Sequence, residues 1–264
     1  KNLNQKDGQL IFPHEFRRMS TTYLQISPRI NIAHKSPKEI LSYDNNSKII
    51  LLKSVTNAVS LIHMHNIVHS DLKFDNVLIQ KTKSNLPSAK IIDFDGSYFG
   101  GRPHLPQFMH FDQSYMAPEL SLYNQECPSI LNSDMTVKAD IFSLGIILHE
   151  YCTGVRPSTK NSRPGKITYL GDAINRGDEI EIKDDIIGEH LSKLIASMLS
   201  KNFNDRPSAK DVFKELSSEK IDIKKMSKAP ESPKTSTTII SKPRVPRVSK
   251  VDTVGKINII SKKK

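Results

Sequence analysis

Apolar positions along the chain recur with two different periods. Ile49, Leu52, Val55, Val59 and Ile62 follow one another at three- and four-residue steps, the spacing that lines one face of an α-helix. That stripe predicts a helix from Asn46 to Asn66, with Asn45 or Asn46 placed to cap its free N–H groups. The pattern then breaks into two short apolar runs, Ile67-Val68 and Val77-Leu78-Ile79, on either side of a polar stretch. They predict short buried strands that hold a loop between them. A further run, Ile91-Ile92, ends on Asp93, and the polar stretch from Lys81 to Ala89 predicts a long hairpin tip.

The second half reads as helical. Lys138 to Tyr151 is an apolar helix, with Gly145 for close packing and Gly154 as its stop. Gly171 to Ile180 and Glu189 to Leu199 have amphipathic spacing. Ser208 caps a last helix through Leu216, with Asp211 in its first turn and Val212, Phe213 and Leu216 on its apolar face. Before position 45 the pattern is thinner: Thr21 to Ile26 predicts a strand, and Ser36-Pro37-Lys38-Glu39 a helix start with Pro at the first helical position. The fold class is α+β, mainly α.

Composition narrows this picture. With 264 residues and 37% hydrophobic content, the chain holds one good-sized domain and a tail. Its two cysteines, Cys127 and Cys152, form no C-x-x-C and fit a reducing compartment, so an intracellular location, cytoplasmic or nuclear, is expected. The best apolar run, Ile141 to Leu148, is far short of the roughly 20 residues a membrane helix needs. The first residues carry no signal-peptide apolar region. The net charge of +11 is concentrated: Lys225 to Lys264 carry 11 Lys/Arg against Glu231 and Asp252, a net of +9, which leaves +2 elsewhere. Basic character therefore belongs to the tail, 219–264, where K-P-R-V-P-R-V-S-K cannot form a core and predicts disorder. Such a tail solubilises, or contacts polyanions such as acidic partners, nucleic acid or anionic lipid.

Candidate chemistry centres on the polar loop. In H-S-D-L-K-F-D-N, Asp71, Lys73 and Asn76 bring a carboxylate, an ammonium and an amide within reach of one phosphate and its metal; alone, the same pattern reads as a solvated turn. It is followed by Asp93-Phe94-Asp95-Gly96, Ala117-Pro118-Glu119, Asp140 opening D-I-F-S-L-G, and Asp205-Arg206-Pro207. This ordered set resembles the catalytic half of the protein kinase family, over roughly Ser36 to Leu216. His63, His65 and His69 do not read as a metal cluster, since His63 and His65 lie on different faces of their helix.

The resemblance implies ATP and Mg²⁺ as cofactors and a protein Ser or Thr hydroxyl as acceptor. It implies Asp71 as the base, Lys73 as the cation that neutralises the transferred phosphate, and Asn76 and Asp93 as Mg²⁺ ligands. Leu78 is placed under the adenine. His69 and Phe94 stack to anchor the loop to the helix opened by Asp140, and Glu119 pairs with a buried Arg206. Asp93 to Glu119 would be the activation segment, its middle made mobile by Gly100, Gly101, Pro103 and Pro106, with Ser97, Tyr98, Ser114 and Tyr115 as candidate phosphosites.

The chain departs from the family at several points. Ser70 stands where an arginine usually precedes the catalytic aspartate, so a phosphate on the segment loses its bidentate partner. Asp95 takes the glycine place of D-F-G, and Asp112 takes the place of a threonine that bridges the catalytic pair. No G-x-G-x-x-G and no V-A-I-K-like strand occurs in the chain. The expected organisation is therefore a remnant of the small lobe and hinge over 1–35, a kinase-like large lobe over 36–218, and the tail. This reads as a fragment of a serine/threonine kinase, itself inactive; the alternative is a pseudokinase that keeps the lobe as a binding scaffold.

Overall fold

The apolar stripe is buried along one helix, α2 (Asn45–His63), where Leu51, Leu52, Val55, Val59 and Ile62 face the core. Its cap is Asp44, one residue before the expected asparagines: Asp44 Oδ1 accepts the Ser47 N–H at 2.9 Å. A carboxylate there also meets the positive end of the helix dipole. The helix stops at His63, short of the expected Asn66, because Asn66 turns left-handed with φ 53°, a conformation asparagine tolerates. The computed structural model describes residues 36–109, 111–162 and 169–218, with the backbone of strands at 15–19 and 22–26. The basic tail lies outside the described residues.

Strands β1 (Glu15–Met19) and β2 (Thr22–Ile26) form an antiparallel pair. Helix α1 (Pro37–Ile40) starts at Ser36 with Pro37 in its first turn, as the sequence suggests. After α2, β3 (Ile67–Val68) pairs with β6 (Tyr98–Phe99), and β4 (Val77–Lys81) with β5 (Pro87–Ile91), all antiparallel. The β4–β5 hairpin tip is shorter than its polar composition suggested, because Lys81 pairs with Pro87. Pro87, Ala89 and Ile91 alternate inward, a period of two that supports a strand despite the polar residues between them. Ser54 Oγ on α2 accepts the Ala89 N–H at 2.9 Å, fixing the hairpin to that helix.

Helix α4 (Lys138–Thr153) is buried at every position from Ala139 to Thr153. Only a helix surrounded by other elements carries such a sequence without an exposed face. A Cβ on Gly145 would lie 3.1 Å from side-chain atoms of Met198 and Leu199, so α7 (Glu189–Met198) approaches there because Gly145 has none. Gly154 ends α4 with φ 75°, its N–H bonded to the Glu150 carbonyl at 2.8 Å. Around this axis lie α3 (Pro118–Asn124), α5 (Leu170–Asn175), α6 (Asp184–Ile187) and α8 (Ala209–Leu216). The helix expected over Gly171–Ile180 is cut at Asn175. Gly177 takes φ 92°, and Ile180–Glu181 form β8, which pairs with β7 (Ser158–Thr159). The cap of α8 is as expected, Ser208 and Asp211 exchanging bonds with each other's backbone N–H at 3.2 and 3.1 Å. No helix among the described residues is long and apolar enough to cross a membrane.

Two buried polar contacts hold these helices in place. Arg206, 1% exposed, donates from both terminal nitrogens to Glu119 at 2.6 and 2.7 Å, and from Nε to the Ser200 carbonyl at 2.9 Å. Its guanidinium also lies 5.0 Å from the centroid of the Phe142 ring on α4. The second contact is His149, fully buried near the end of α4. Its Nδ1 faces the Val155 carbonyl at 2.9 Å, and its Nε2 faces the Lys183 N–H at 3.4 Å. A carbonyl accepts and an N–H donates, so the neutral ring with its proton on Nδ1 satisfies both sides. Burial pushes the imidazole pKa down to about 4, against a rise from the Val155 bond.

Truncating Glu119 to Ala should cost about 3–5 kcal/mol by leaving Arg206 buried and uncompensated, lowering the melting temperature by roughly 6–20 °C. Replacing both partners by apolar residues, Glu119→Leu with Arg206→Met, should recover much of that in the same melt. His149 should make stability depend on pH. Its folded pKa is depressed, so the unfolded chain binds the proton first. The contribution is complete above about pH 6.5 and is lost as pH falls toward 4, roughly 3 kcal/mol in all. Urea midpoints at pH 7 and pH 4.5 should therefore differ more in the parent than in His149→Gln; equal differences would show that the ring does not titrate as argued.

Candidate active site

The loop between β3 and β4 is held from below by one carboxylate. Asp140, in the first turn of α4 and 1% exposed, accepts the His69 N–H at 2.8 Å and the Ser70 N–H at 3.0 Å. The same carboxylate meets His63 Nε2 at 3.0 Å, at the end of α2. A buried carboxylate is tolerated only with such a donor set. His69 also reaches the Ile92 carbonyl through Nε2 at 2.9 Å, and its ring lies 4.9 Å from that of Phe94, tilted by 54°. The loop is thereby tied both to α4 and to the end of the strand that carries Asp93.

Above this support, Asp71, Lys73 and Asn76 meet directly. Lys73 Nζ donates to Asp71 Oδ2 at 2.6 Å, and Asn76 Nδ2 donates to the same oxygen at 3.1 Å and to the Asp71 carbonyl at 2.8 Å. The 3₁₀ turn Phe74–Asn76 brings Asn76 back over Asp71 and buries it. Asp71 Oδ1 accepts a third donor, the backbone N–H of Asp112, at 2.9 Å. Both carboxylate oxygens are thus oriented, and the Asp71 side chain is left 16% exposed. Burial alone would lower the Lys73 pKa, but the bond and charge of Asp71, with Asp112 and Asp93 behind them, hold it above the ordinary lysine value.

The remaining expected residues are more dispersed. Asp93 is exposed two residues past the end of β5, with φ 65°, a left-handed backbone, and acts on Lys73 through charge. Leu78 lies half-buried on β4, paired with Lys90 of β5. Glu119 and Arg206 form the buried pair described above.

Three contacts had no signal in local spacing. His63 is 77 residues from Asp140, and only folding joins them. The place of the expected bridging threonine is filled through the Asp112 backbone, while its carboxylate turns to the Ser114 N–H at 2.8 Å. Tyr115 donates its hydroxyl to Glu150 on α4 at 2.6 Å, with the Arg156 guanidinium 5.5 Å from the ring centroid. Burial, with Glu150 beside it, raises the Tyr115 pKa far above its usual value, which keeps the hydroxyl a donor.

Two expectations for the activation segment are corrected. Tyr98, Ser114 and Tyr115 are 5–8% exposed, so a phosphate on any of them requires local opening, since burying its charge is costly. The glycines expected to loosen the segment are fastened instead. Gly100 N–H donates to the Asn66 carbonyl and Gly101 N–H to the Met135 carbonyl, each at 2.9 Å.

An oxygen-only donor set suits Mg²⁺, and these residues fit it. Asn76 commits its nitrogen to Asp71, which leaves its amide oxygen as the end with no donor role, and Asp93 offers an exposed carboxylate. Among the described residues no three His, Cys, Asp or Glu side chains could hold a metal by themselves.

The chain is similar to the serine/threonine-protein kinase pkn3 of Myxococcus xanthus, 25% identical over 221 residues, which is 80% of this chain and 39% of that protein. It is similar to the serine/threonine-protein kinase ATG1 of Candida glabrata, 28% identical over 172 residues, 58% of this chain and 17% of that protein. The chain thus spans well under half the length of these curated relatives. A family model described as the protein kinase domain matches residues 21–216. By that match, over most of its length, the chain belongs to the protein kinase family.

Proposed function

We propose that the chain carries the large lobe, 36–218, of an intracellular serine/threonine protein kinase, with a remnant of the small lobe before it and the basic tail after it. The observation that carries this reading is the arrangement at Asp71. Three donors from three places, Lys73, Asn76 and the Asp112 backbone, fix its carboxylate. A carboxylate held this way can accept a hydroxyl proton and aim the oxygen along one line. When bound, ATP and Mg²⁺ supply the phosphoryl group and much of the charge that offsets it. Asn76 and Asp93 would hold the metal, and Lys73 has an ammonium close enough to move from Asp71 toward a phosphate. Leu78 offers an apolar surface for a base, and a protein Ser or Thr is the acceptor. The tail's charge fits a contact with polyanions.

A pseudokinase is the second reading. Asp95 adds an exposed carboxylate two residues from Asp93, and Asp112 adds a half-buried one near Lys73. Both raise the negative charge that a nucleotide would have to meet.

The two readings predict different kinetics. In the full-length parent, Asp71→Asn should lower phosphotransfer by about 10²–10⁴-fold with an unchanged melting temperature; a variant as fast as the parent would exclude Asp71 as base. Full-length parent inactive before any substitution would favour the scaffold. The 264-residue chain by itself should fall well below the usual kinase turnover of about 1–100 s⁻¹, because it has no G-x-G-x-x-G to cover the phosphates. A radiolabelled ATP assay with a basic protein substrate measures this directly.

A further inference from the structure

Ser70 stands between His69 and Asp71 with φ 67°, a left-handed conformation that residues with a side chain rarely adopt. Two bonds keep it there. Its N–H donates to Asp140 Oδ1 at 3.0 Å, and its hydroxyl donates to the Gly96 carbonyl at 2.8 Å. Ser70 is only 5% exposed, so water scarcely competes for either bond. Gly96 lies three residues beyond Asp93, at the start of the activation segment. From there the segment stays close to the loop: Tyr98–Phe99 pair with Ile67–Val68, and Gly100 bonds Asn66. Among the described residues no ion pair reaches the segment from 94 to 109. The side-chain bond that joins its start to the catalytic loop is therefore a neutral one.

We infer that Ser70 is a positioning residue whose hydroxyl latches the start of the activation segment to the catalytic loop, fixing Asp93 relative to Asp71 without a phosphate. An arginine at this place needs an anion on the segment to hold it. A serine hydroxyl needs only the backbone carbonyl that is already there. The consequence for turnover rests on the kinase reading of Asp71, but the latch is a property of the fold and can be measured without activity.

Hydrogen exchange read by mass spectrometry on the 264-residue chain, shown by intact mass to carry no phosphate, tests this. Peptides spanning 93–101 should be protected in that unphosphorylated protein. In Ser70→Ala they should exchange about threefold to tenfold faster, the range set by losing one intramolecular hydrogen bond, while peptides of α4 and α8 stay unchanged. Ser70→Gly, which relieves the left-handed backbone, should behave like Ser70→Ala and serves if the alanine variant folds poorly. Ser70→Asn keeps a donor and tolerates positive φ, and should restore protection. The inference is overturned by a segment that is unprotected until phosphorylated, by exchange that is unchanged in both Ala and Gly variants, by acceleration spread equally over α4 and α8, or by an asparagine variant no better than alanine. If the full-length parent proves inactive while the exchange pattern holds, the kinase reading fails and the latch stands.

Discussion

The Asp140 carboxylate is the constraint on which the site depends. A charge this deep is unfavourable unless its oxygens are filled, and the donors that fill them are the backbone of His69 and Ser70 and the ring of His63. Satisfying one buried group therefore fixes three elements together: the end of α2, the start of α4 and the loop that carries Asp71. Because α4 is enclosed on all sides, it acts as a fixed reference, and the loop inherits its position. The His69–Phe94 contact extends the same support to the strand end at Asp93.

The polar layer above this support is set by charge balance. Three carboxylates, Asp71, Asp93 and Asp112, act on the single ammonium of Lys73. Among the described residues acting on it, that one cation thus balances three anions. Ser70 and Asp93 both hold left-handed backbones, φ 67° and 65°, on the two sides of this cluster. Such conformations persist only where the surroundings over-determine them. At Ser70 the surroundings are Asp140 and Gly96. The Asp112 backbone then closes the cluster by reaching Asp71 from the far end of the segment.

Polar pairs also fix the outer frame of the segment, and they do so by different physics. Glu119 and Arg206 are a bidentate ion pair whose value lies in the cost of breaking it. Tyr115 and Glu150 are a hydroxyl donating to a carboxylate that burial holds above its ordinary pKa, while the Tyr115 bond and Arg156 pull it back down. The first anchors α3 beneath the segment's end. The second, with Ser143 Oγ donating to the Tyr115 carbonyl at 2.8 Å, binds the segment to α4. The segment is thus tied down at both ends, by Gly96 and by Tyr115.

Local patterning accounts for the elements whose cause lies within a few residues. The stripe of α2, the Ser208 cap, the Gly154 stop and the strand runs around Asp71 follow from periodicity and capping, which act within a few residues. The order of Asp71, Lys73, Asn76, Asp93, Glu119, Asp140 and Arg206 also carried the family resemblance. Elsewhere a distant partner or a backbone angle sets the structure. Ala89 joins a strand because it pairs with Ile79, α5 ends early where Ile180 pairs with Thr159, and Tyr98 and Tyr115 are buried despite lying in a segment expected to be open. The tertiary structure alone joined His63 to Asp140, turned the Asp112 backbone onto Asp71 and gave the Ser70 hydroxyl its acceptor. Each of these contacts spans between 26 and 77 residues, and hydrogen bonds at that separation leave no period in the chain for a sequence to display.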